Sequence, residues 1–179
     1  MIPAGFDYER AASIEAAVAL LGAHDEAKLL AGGHSLVPMM KLRLAQPGLL
    51  VDIARVPGLA YIREDGGAIA IGALTRHCEL VESDLLRRRC PLVVQTAAEV
   101  GDIQVRHRGT IGGSLAHADP HADLPAAMVA LGAELVAQGP GGRRTIAARD
   151  FFQGYLHSAL GHDEVLVEIR VPATDGAGT

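Results

Sequence analysis

Two short glycine-rich segments constrain most strongly what this chain can fold into and bind. The first glycine segment, residues 31–35, reads Ala-Gly-Gly-His-Ser, and the second, residues 110–114, reads Thr-Ile-Gly-Gly-Ser. Glycine allows close backbone approach and positive φ, and successive exposed N–H groups form a concavity that attracts anions. A single Gly-Gly pair is typical of an ordinary turn. Two similar segments in one small chain favour a ligand with two phosphates, held from two sides.

The composition limits the class of protein and of partner. The 179 residues suffice for one domain or two small ones. A formal net charge of -5 and 3% aromatic residues argue against nucleic acid as the main partner. The two cysteines, Cys78 and Cys90, are too few to hold an iron–sulfur cluster and indicate a reducing compartment. No signal peptide or membrane-spanning run is predicted, so we expect a cytoplasmic location.

Apolar periodicity and turn residues predict a mixed succession of helices and strands. In the first part, Ser13 caps a helix over 14–21 that Gly22 closes, and a strand over 28–31 leads into the first glycine segment. A boundary is predicted near Pro57. The other predicted elements are a helix over 36–42, a strand over 49–53, a hairpin of 59–64 and 68–72, helices over 75–81, 91–100 and 123–131, a strand pair of 134–137 and 144–146, a strand over 165–169 and a linker-like tail from Ala173.

The first glycine segment lies between a predicted strand and a predicted helix, where backbone donors favour an anion. It is not a P-loop, because no Gly-Lys-Ser/Thr follows, and Gly-x-Gly-x-x-Gly is absent. Asp52 lies about twenty residues on, as a ribose-binding acid does in a dinucleotide fold. Arg106 and Arg108 precede the second glycine segment and either hold it or attract phosphates.

A second polar cluster allows two interpretations. His117, Asp119, His121 and Asp123 alternate with small residues, and two imidazoles with two carboxylates suit a metal ion. However, Pro120 disrupts a regular strand, and Asp-Pro is a turn signal. The alternative is a loop in which Asp123 caps the next helix and accepts hydrogen bonds from a ligand hydroxyl.

Together these segments resemble a known family. Residues 31–38 (Ala-Gly-Gly-His-Ser-Leu-Val-Pro), 104–114 (Gln-Val-Arg-His-Arg-Gly-Thr-Ile-Gly-Gly-Ser) and 119–125 (Asp-Pro-His-Ala-Asp-Leu-Pro) closely resemble the FAD-binding medium subunit of molybdenum hydroxylases. That family includes aerobic carbon monoxide dehydrogenase and xanthine dehydrogenase. The start Phe6-Asp7-Tyr8 and the late segment Asp163-Glu164-Val165-Leu166 are similar to the family too, so the resemblance covers essentially the whole chain.

The resemblance implies an α+β fold, the p-cresol methylhydroxylase-like FAD-binding fold, with two α+β subdomains at 1–55 and 56–172 and a tail at 173–179. FAD lies between the subdomains, and Asp123 contacts its adenosine or ribityl end. The cofactor-binding residues that the resemblance implies are Ala31, Gly32, Gly33, His34, Ser35, Val100, Thr110, Ile111, Gly112, Gly113, Ser114, Asp123 and Leu166.

The resemblance also implies a function in electron transfer. FAD accepts electrons from iron–sulfur clusters on a small subunit and passes them to an external acceptor, while molybdenum on a large subunit carries the substrate chemistry. Family members continue into a C-terminal subdomain beyond the position of Thr179, which this sequence does not include. Two alternatives therefore stand beside the flavoprotein: a non-catalytic assembly domain that has lost flavin, and a metal hydrolase using the His/Asp cluster.

Overall fold

The chain begins with a small parallel sheet flanked by helices. The computed structural model describes residues 2–174. Strands β1 (Asp7–Arg10), β2 (Ala27–Leu30) and β3 (Leu49–Asp52) form a three-stranded sheet in the order β1-β3-β2, with both pairings parallel. Helix α1 (Ile14–Ala23) connects β1 to β2, and helix α2 (Leu36–Lys41) connects β2 to β3. The first glycine segment is therefore the link from the end of β2 to the start of α2.

Helix α1 forms largely as its sequence predicts. The Ser13 hydroxyl accepts a hydrogen bond from the amide of Ala16 at 3.2 Å, which satisfies one free donor of the first turn. Ile14, Ala17, Val18 and Leu21 share the buried face. The prediction that Gly22 closes the helix is wrong. Gly22 lies within the helix, which ends at Ala23 with His24 as its C-cap, because one interior glycine costs only about 1 kcal/mol of helix stability.

A five-stranded antiparallel sheet forms the second layer. Its order is β4-β5-β10-β6-β7. The bounds are Ile62–Asp65 for β4, Ala68–Gly72 for β5, Glu134–Gly139 for β6, Gly142–Ala147 for β7 and Val165–Pro172 for β10. Both predicted hairpins are present. Gly66 and Gly67 at the first turn have φ of 59° and 84°, the left-handed pair that a tight hairpin requires.

Helices cover one face of this sheet. They are α3 (His77–Glu82), α4 (Asp84–Arg89), α5 (Pro91–Glu99), α6 (Ile103–Arg106), α7 (Ile111–His117), α8 (Asp123–Ala130) and α9 (Ala148–Phe151), followed by the strand pair β8 (Phe152–Gly154) and β9 (His157–Ser158). Helix α3 starts two residues later than predicted, because the Glu79 carboxylate accepts from the Arg76 amide at 2.6 Å and fixes the cap there. Among residues 2–174, no helix is long and apolar enough to cross a membrane.

Strand β10 contributes to two hydrophobic cores. Val165 and Val167 pack into the cluster that contains α1 and the parallel sheet, whereas Ile169 and Val171 pack under the helices of the second layer. Side chains on a regular strand alternate between faces. A register shift between Leu166 and Glu168 reverses that alternation, so the odd-numbered side chains face the first core before the shift and the second core after it.

The two subdomains that we predict share a core, and their boundary at residue 55 stays a prediction. At the end of the chain, the Ala173 amide donates to the Gly67 carbonyl at 3.1 Å, and the Thr174 amide donates to the Arg89 carbonyl at 2.8 Å. These two residues of the predicted tail are thus held against the second layer. The rest of that tail, 175–179, lies outside the described residues.

Candidate cofactor-binding site

A cleft of about 610 Å³ separates the β2–α2 link from helix α7 and the start of β10. This volume lies in the range of ligand and cofactor sites. Its lining includes most of the residues predicted for the cofactor, namely Ala31, Gly32, Gly33, His34, Ser35, Val100, Thr110, Gly112, Gly113, Ser114 and Leu166. Ile111 is instead fully buried in the core. Asp123 does not line the cleft, although Asp119 and Ala122 of the same segment do.

The first glycine segment presents free backbone donors to the cleft. Among residues 2–174, no protein acceptor receives a hydrogen bond from the amides of Gly32, Gly33, His34 or Ser35. Gly33 has φ of 76°, which favours glycine. The His34 ring folds back to the carbonyl oxygen of Gly32 at 3.1 Å. Four successive free N–H groups beside a cleft form a site suited to an anion.

The second glycine segment differs, because protein atoms already accept from its amides. It forms the cap and first turn of α7. The hydrogen bonds run from Ile111 to the Thr75 carbonyl at 3.0 Å, from Gly112 to the Ala73 carbonyl at 2.9 Å, from Gly113 to the Thr110 hydroxyl at 3.2 Å and from Ser114 to the Thr110 carbonyl at 3.0 Å. The sequence expectation of free amides on both segments therefore applies to the first only. The second offers the hydroxyls of Thr110 and Ser114.

Glycine is needed in both segments for backbone packing. A Cβ atom at Gly32 would overlap the carbonyl oxygen of Arg108, so the first segment rests directly on the chain that leads into the second. A Cβ at Gly112 would lie 2.5 Å from the Cβ of Ala73, beside β5. A Cβ on Gly113 would in turn lie 4.0 Å from the Cβ of Ala31, so the two glycine segments lie side by side along one cleft.

The two arginines before the second segment have structural contacts. The Arg106 guanidinium donates to the carbonyl oxygens of Ala98, Val100 and Gly101 at 3.1, 3.2 and 3.0 Å. It thereby caps the end of α5 and holds Val100 at the cleft. These contacts reach the end of α5 and the residues after it, not the second glycine segment, so both roles predicted for Arg106 stay predictions. The backbone carbonyl of Arg108 is the group against which Gly32 packs.

Asp52 does not face the cleft as a ribose-binding acid. Its carboxylate accepts a short hydrogen bond from the Tyr8 hydroxyl and another from the Ala54 amide at 2.8 Å. Arg10 lies 3.8 Å from the same carboxylate. These contacts hold the β1–β3 edge of the parallel sheet, and the dinucleotide-fold interpretation of Asp52 is wrong.

The His/Asp cluster does not converge on a metal site. His117 ends α7, Ala118 adopts the left-handed conformation, and the chain then turns. Within the described range 2–174, no group of three or more His, Cys, Asp or Glu side chains is placed to hold a metal ion. His121 contacts Asp119 at 3.2 Å and is otherwise exposed. Nor does Asp123 cap α8: it is the first helical residue, after the N-cap Ala122, which makes no side-chain cap bond.

His77 is a polar residue of the cleft that the sequence did not identify. His77, the first residue of α3, is 3% exposed and lines the cleft, and its Nδ1 atom is buried without a hydrogen-bond partner. Burial, with smaller contributions from Arg106 and His34, lowers the pKa of His77 to about 4. The one available signal was that His77 shares the buried face of its helix with Leu80. A histidine in an apolar register is too common to identify a site.

Comparison with known proteins identifies the family. The family model described as the FAD binding domain in molybdopterin dehydrogenase matches residues 4–174. The carbon monoxide dehydrogenase medium chain of Hydrogenophaga pseudoflava is 52% identical over 97% of this chain and 61% of its own length. The 6-hydroxypseudooxynicotine dehydrogenase complex subunit alpha of Paenarthrobacter nicotinovorans is 47% identical over 96% of this chain and 58% of its own length.

Solved structures agree with the sequence relatives. Reconstituted CO dehydrogenase from Oligotropha carboxidovorans superimposes with a TM-score of 0.96 at 46% identity, over 98% of this chain and 62% of that chain. The chain thus spans about three fifths of the length of these relatives. Its α+β fold is the predicted FAD-binding fold. With a family match over nearly all of its residues, this chain belongs to the FAD-binding domains of the molybdopterin dehydrogenases.

Proposed function

We propose that this chain is the FAD-binding part of a molybdenum hydroxylase medium subunit, which passes electrons from iron–sulfur clusters through FAD to an external acceptor. The observation that carries the proposal is the row of four free amides, at residues 32–35, facing a cleft that the second glycine segment closes. A dinucleotide diphosphate satisfies such donors, and the family to which the chain belongs binds FAD.

The residues of the cleft fit this cofactor. The amides of the first glycine segment bind the diphosphate, and the hydroxyls of Ser35 and Ser114 stand beside it without protein partners among the described residues. The side chains of Val100 and Leu166 form part of the apolar wall of the cleft. We place Asp123 near the adenosine or ribityl end, on the family resemblance. Bound FAD supplies the redox chemistry, and the chain binds and orients it.

The proposed partners follow from the family to which the chain belongs. By that resemblance, the iron–sulfur clusters belong to a small subunit and the molybdenum centre belongs to a large subunit. The two cysteines of this sequence, Cys78 and Cys90, are both unpaired. Two unpaired thiols also support a cytoplasmic location. The proposed division into subdomains 1–55 and 56–172 places the two glycine segments on different subdomains.

Titration of the purified chain with FAD, followed by flavin fluorescence, tests the proposal. We expect saturable one-to-one binding. Gly33→Ala should weaken FAD binding by about tenfold, because it strains a left-handed residue of the anion site. Gly58→Ala is the matched control, since Gly58 has φ of 77° and open space around it.

Both variants should lose about 1–2 kcal/mol of stability from backbone strain, and Gly33→Ala adds tight contacts of its Cβ with Leu30 and Val37 at 3.3 Å. Only Gly33→Ala should lose FAD. A folded chain that binds no FAD contradicts the proposal and favours the alternative of a non-catalytic assembly domain. Equal FAD affinity in the two variants would remove the first glycine segment from the site.

A further inference from the structure

We infer that His77 binds the cofactor directly, by donating its Nε2–H to a diphosphate oxygen in the cleft. The inference rests on the proposed FAD function and adds a side chain that lies in neither glycine segment. Three observations carry it. Nδ1 is isolated, the ring edge packs against Gly109, and Gly109 in turn packs against Gly32 of the first glycine segment.

The isolation of Nδ1 determines which ring nitrogen carries the proton. A neutral imidazole has one N–H donor and one acceptor nitrogen. Nδ1 is buried without a partner, and a buried N–H without an acceptor is rarer and costlier than an acceptor without a donor. The proton therefore resides on Nε2. Because burial lowers the pKa of His77 to about 4, the ring is neutral throughout the physiological range.

Nε2, unlike Nδ1, is neither fully buried nor hydrogen-bonded to a protein atom among residues 2–174, so it is the ring nitrogen that a ligand can reach. His77 lines the cleft, and Nδ1 is sealed from it. A Cβ on Gly109 would lie 2.8 Å from Cδ2 and 2.9 Å from Nε2, so this ring edge is in close contact with the glycine. The His77 amide also donates to the Gly109 carbonyl at 3.1 Å, which fixes the start of α3 beneath that residue.

Gly109 connects His77 to the anion site. Gly32 rests on the backbone of Arg108 and Gly109, and the same Gly109 rests on the imidazole edge. His34 is close enough to His77 to contribute to the lowering of its pKa. These contacts connect the Nε2 edge of the ring to the first glycine segment through Gly109, and an acceptor bound to the free amides of that segment is the partner we assign to the Nε2–H donor. As a neutral donor, His77 contributes a directed hydrogen bond without a charge.

Three substitutions at this position separate ligand binding from packing. His77→Leu keeps an apolar side chain of similar bulk and removes both nitrogens. His77→Gln places an amide N–H near the Nε2 position, and His77→Asn places one near Nδ1. We expect His77→Leu to raise the Kd for FAD by about tenfold, the value of one hydrogen bond to a charged group. His77→Gln should stay within about threefold of the unsubstituted chain, and His77→Asn should resemble His77→Leu.

For His77→Leu, the thermal stability of the ligand-free chain should change in the opposite direction to its FAD affinity. His77→Leu removes a buried polar atom without a partner, so its Tm without FAD should rise by about 3 °C. Long-range ¹H–¹⁵N NMR of the unsubstituted chain should find the proton on Nε2. A residue that only packs the core would lower Tm on substitution and leave the Kd unchanged, and that result overturns the inference.

ADP, measured by competition with FAD, identifies the acceptor. Both molecules carry the diphosphate, so His77→Leu should weaken the binding of both by the same factor; weakening of FAD binding alone overturns the diphosphate assignment.

If His77→Leu does not fold, the comparison of His77→Gln with His77→Asn decides. Retention of FAD affinity by His77→Asn rather than His77→Gln overturns the assignment to Nε2. If the unsubstituted chain binds neither probe, the proposed function fails. If it binds both and no variant weakens binding, only this inference fails.

Discussion

Gly112 shows how strongly this site depends on the absence of a single side chain. Its amide donates to the Ala73 carbonyl, and its α-carbon lies against Ala73 itself. From the sequence, we expected the backbone of Gly112 to lie close to a phosphate group. The structure places that close approach against Ala73, the residue that follows β5. The residue type was predictable from the sequence, but its neighbour was not, because that neighbour lies about forty residues earlier in the chain.

Gly112→Ala is therefore expected to destabilise the chain by about 1–3 kcal/mol, the usual cost of overpacking a core. The added methyl group would meet Ala73 Cβ at 2.5 Å and its carbonyl oxygen at 2.7 Å, both close to rigid backbone. Urea unfolding measures the loss. Gly141→Ala is the matched control, because nothing lies within 4 Å of a Cβ at that turn. Equal stability of the two variants would contradict the packing role.

At the scale of elements, the predictable ones were those with regular apolar patterns. The hairpins, β3, β10, α1 and α5 follow alternation or helical periodicity that their sequences display. Strand β1 was missed because all four of its residues are exposed and no alternation marks it. Helix α7 was missed because two of its first three residues are glycines, which disfavour helix. Tertiary hydrogen bonds to Ala73 and Thr75 hold that turn instead.

The Thr110 cap should link helix α7 to the cofactor. Thr110→Val removes the hydroxyl that accepts from Gly113 and should cost about 1 kcal/mol of stability. It should also weaken FAD binding several-fold, because Thr110 lines the cleft and its cap holds the glycine turn there. Ser13→Ala removes the comparable cap of α1, away from the cleft, and should cost similar stability without changing FAD affinity. Chemical unfolding and flavin fluorescence measure the two effects, and loss of FAD affinity in both variants would contradict this division.

For the whole molecule, the connection between the two sheets was not predictable from local patterns. The parallel sheet shares its core with Val136, Val165 and Val167 of the antiparallel sheet. A periodic strand sequence shows which residues are buried but not which layer covers them. The cleft was predictable only through the family resemblance, which links segments far apart in the chain. His77 lies outside the segments that carry that resemblance, and its place in the cleft became visible only in three dimensions.

The shared core predicts that the chain unfolds as one unit. Val167→Ala should destabilise both sheets together by about 1–3 kcal/mol, since Val167 is 1% exposed and lies between them. Hydrogen exchange of amides in β3 and in β5 reports each sheet separately, and both should lose protection equally. Val129→Ala, at an exposed position on α8, is the control and should change stability by less than about 0.5 kcal/mol. Loss of protection in one sheet alone would show two independent units.

The register shift in β10 has an evolutionary consequence. Because the strand changes phase between Leu166 and Glu168, deletion of one residue there exchanges which side chains face each layer without altering any amino-acid type. Leu166, a wall of the cleft, lies at that point. Insertions or deletions at this position are therefore a route by which the cofactor wall changes shape. In an alignment of two homologous chains, a gap here is as informative about the cofactor site as a substitution in a glycine segment.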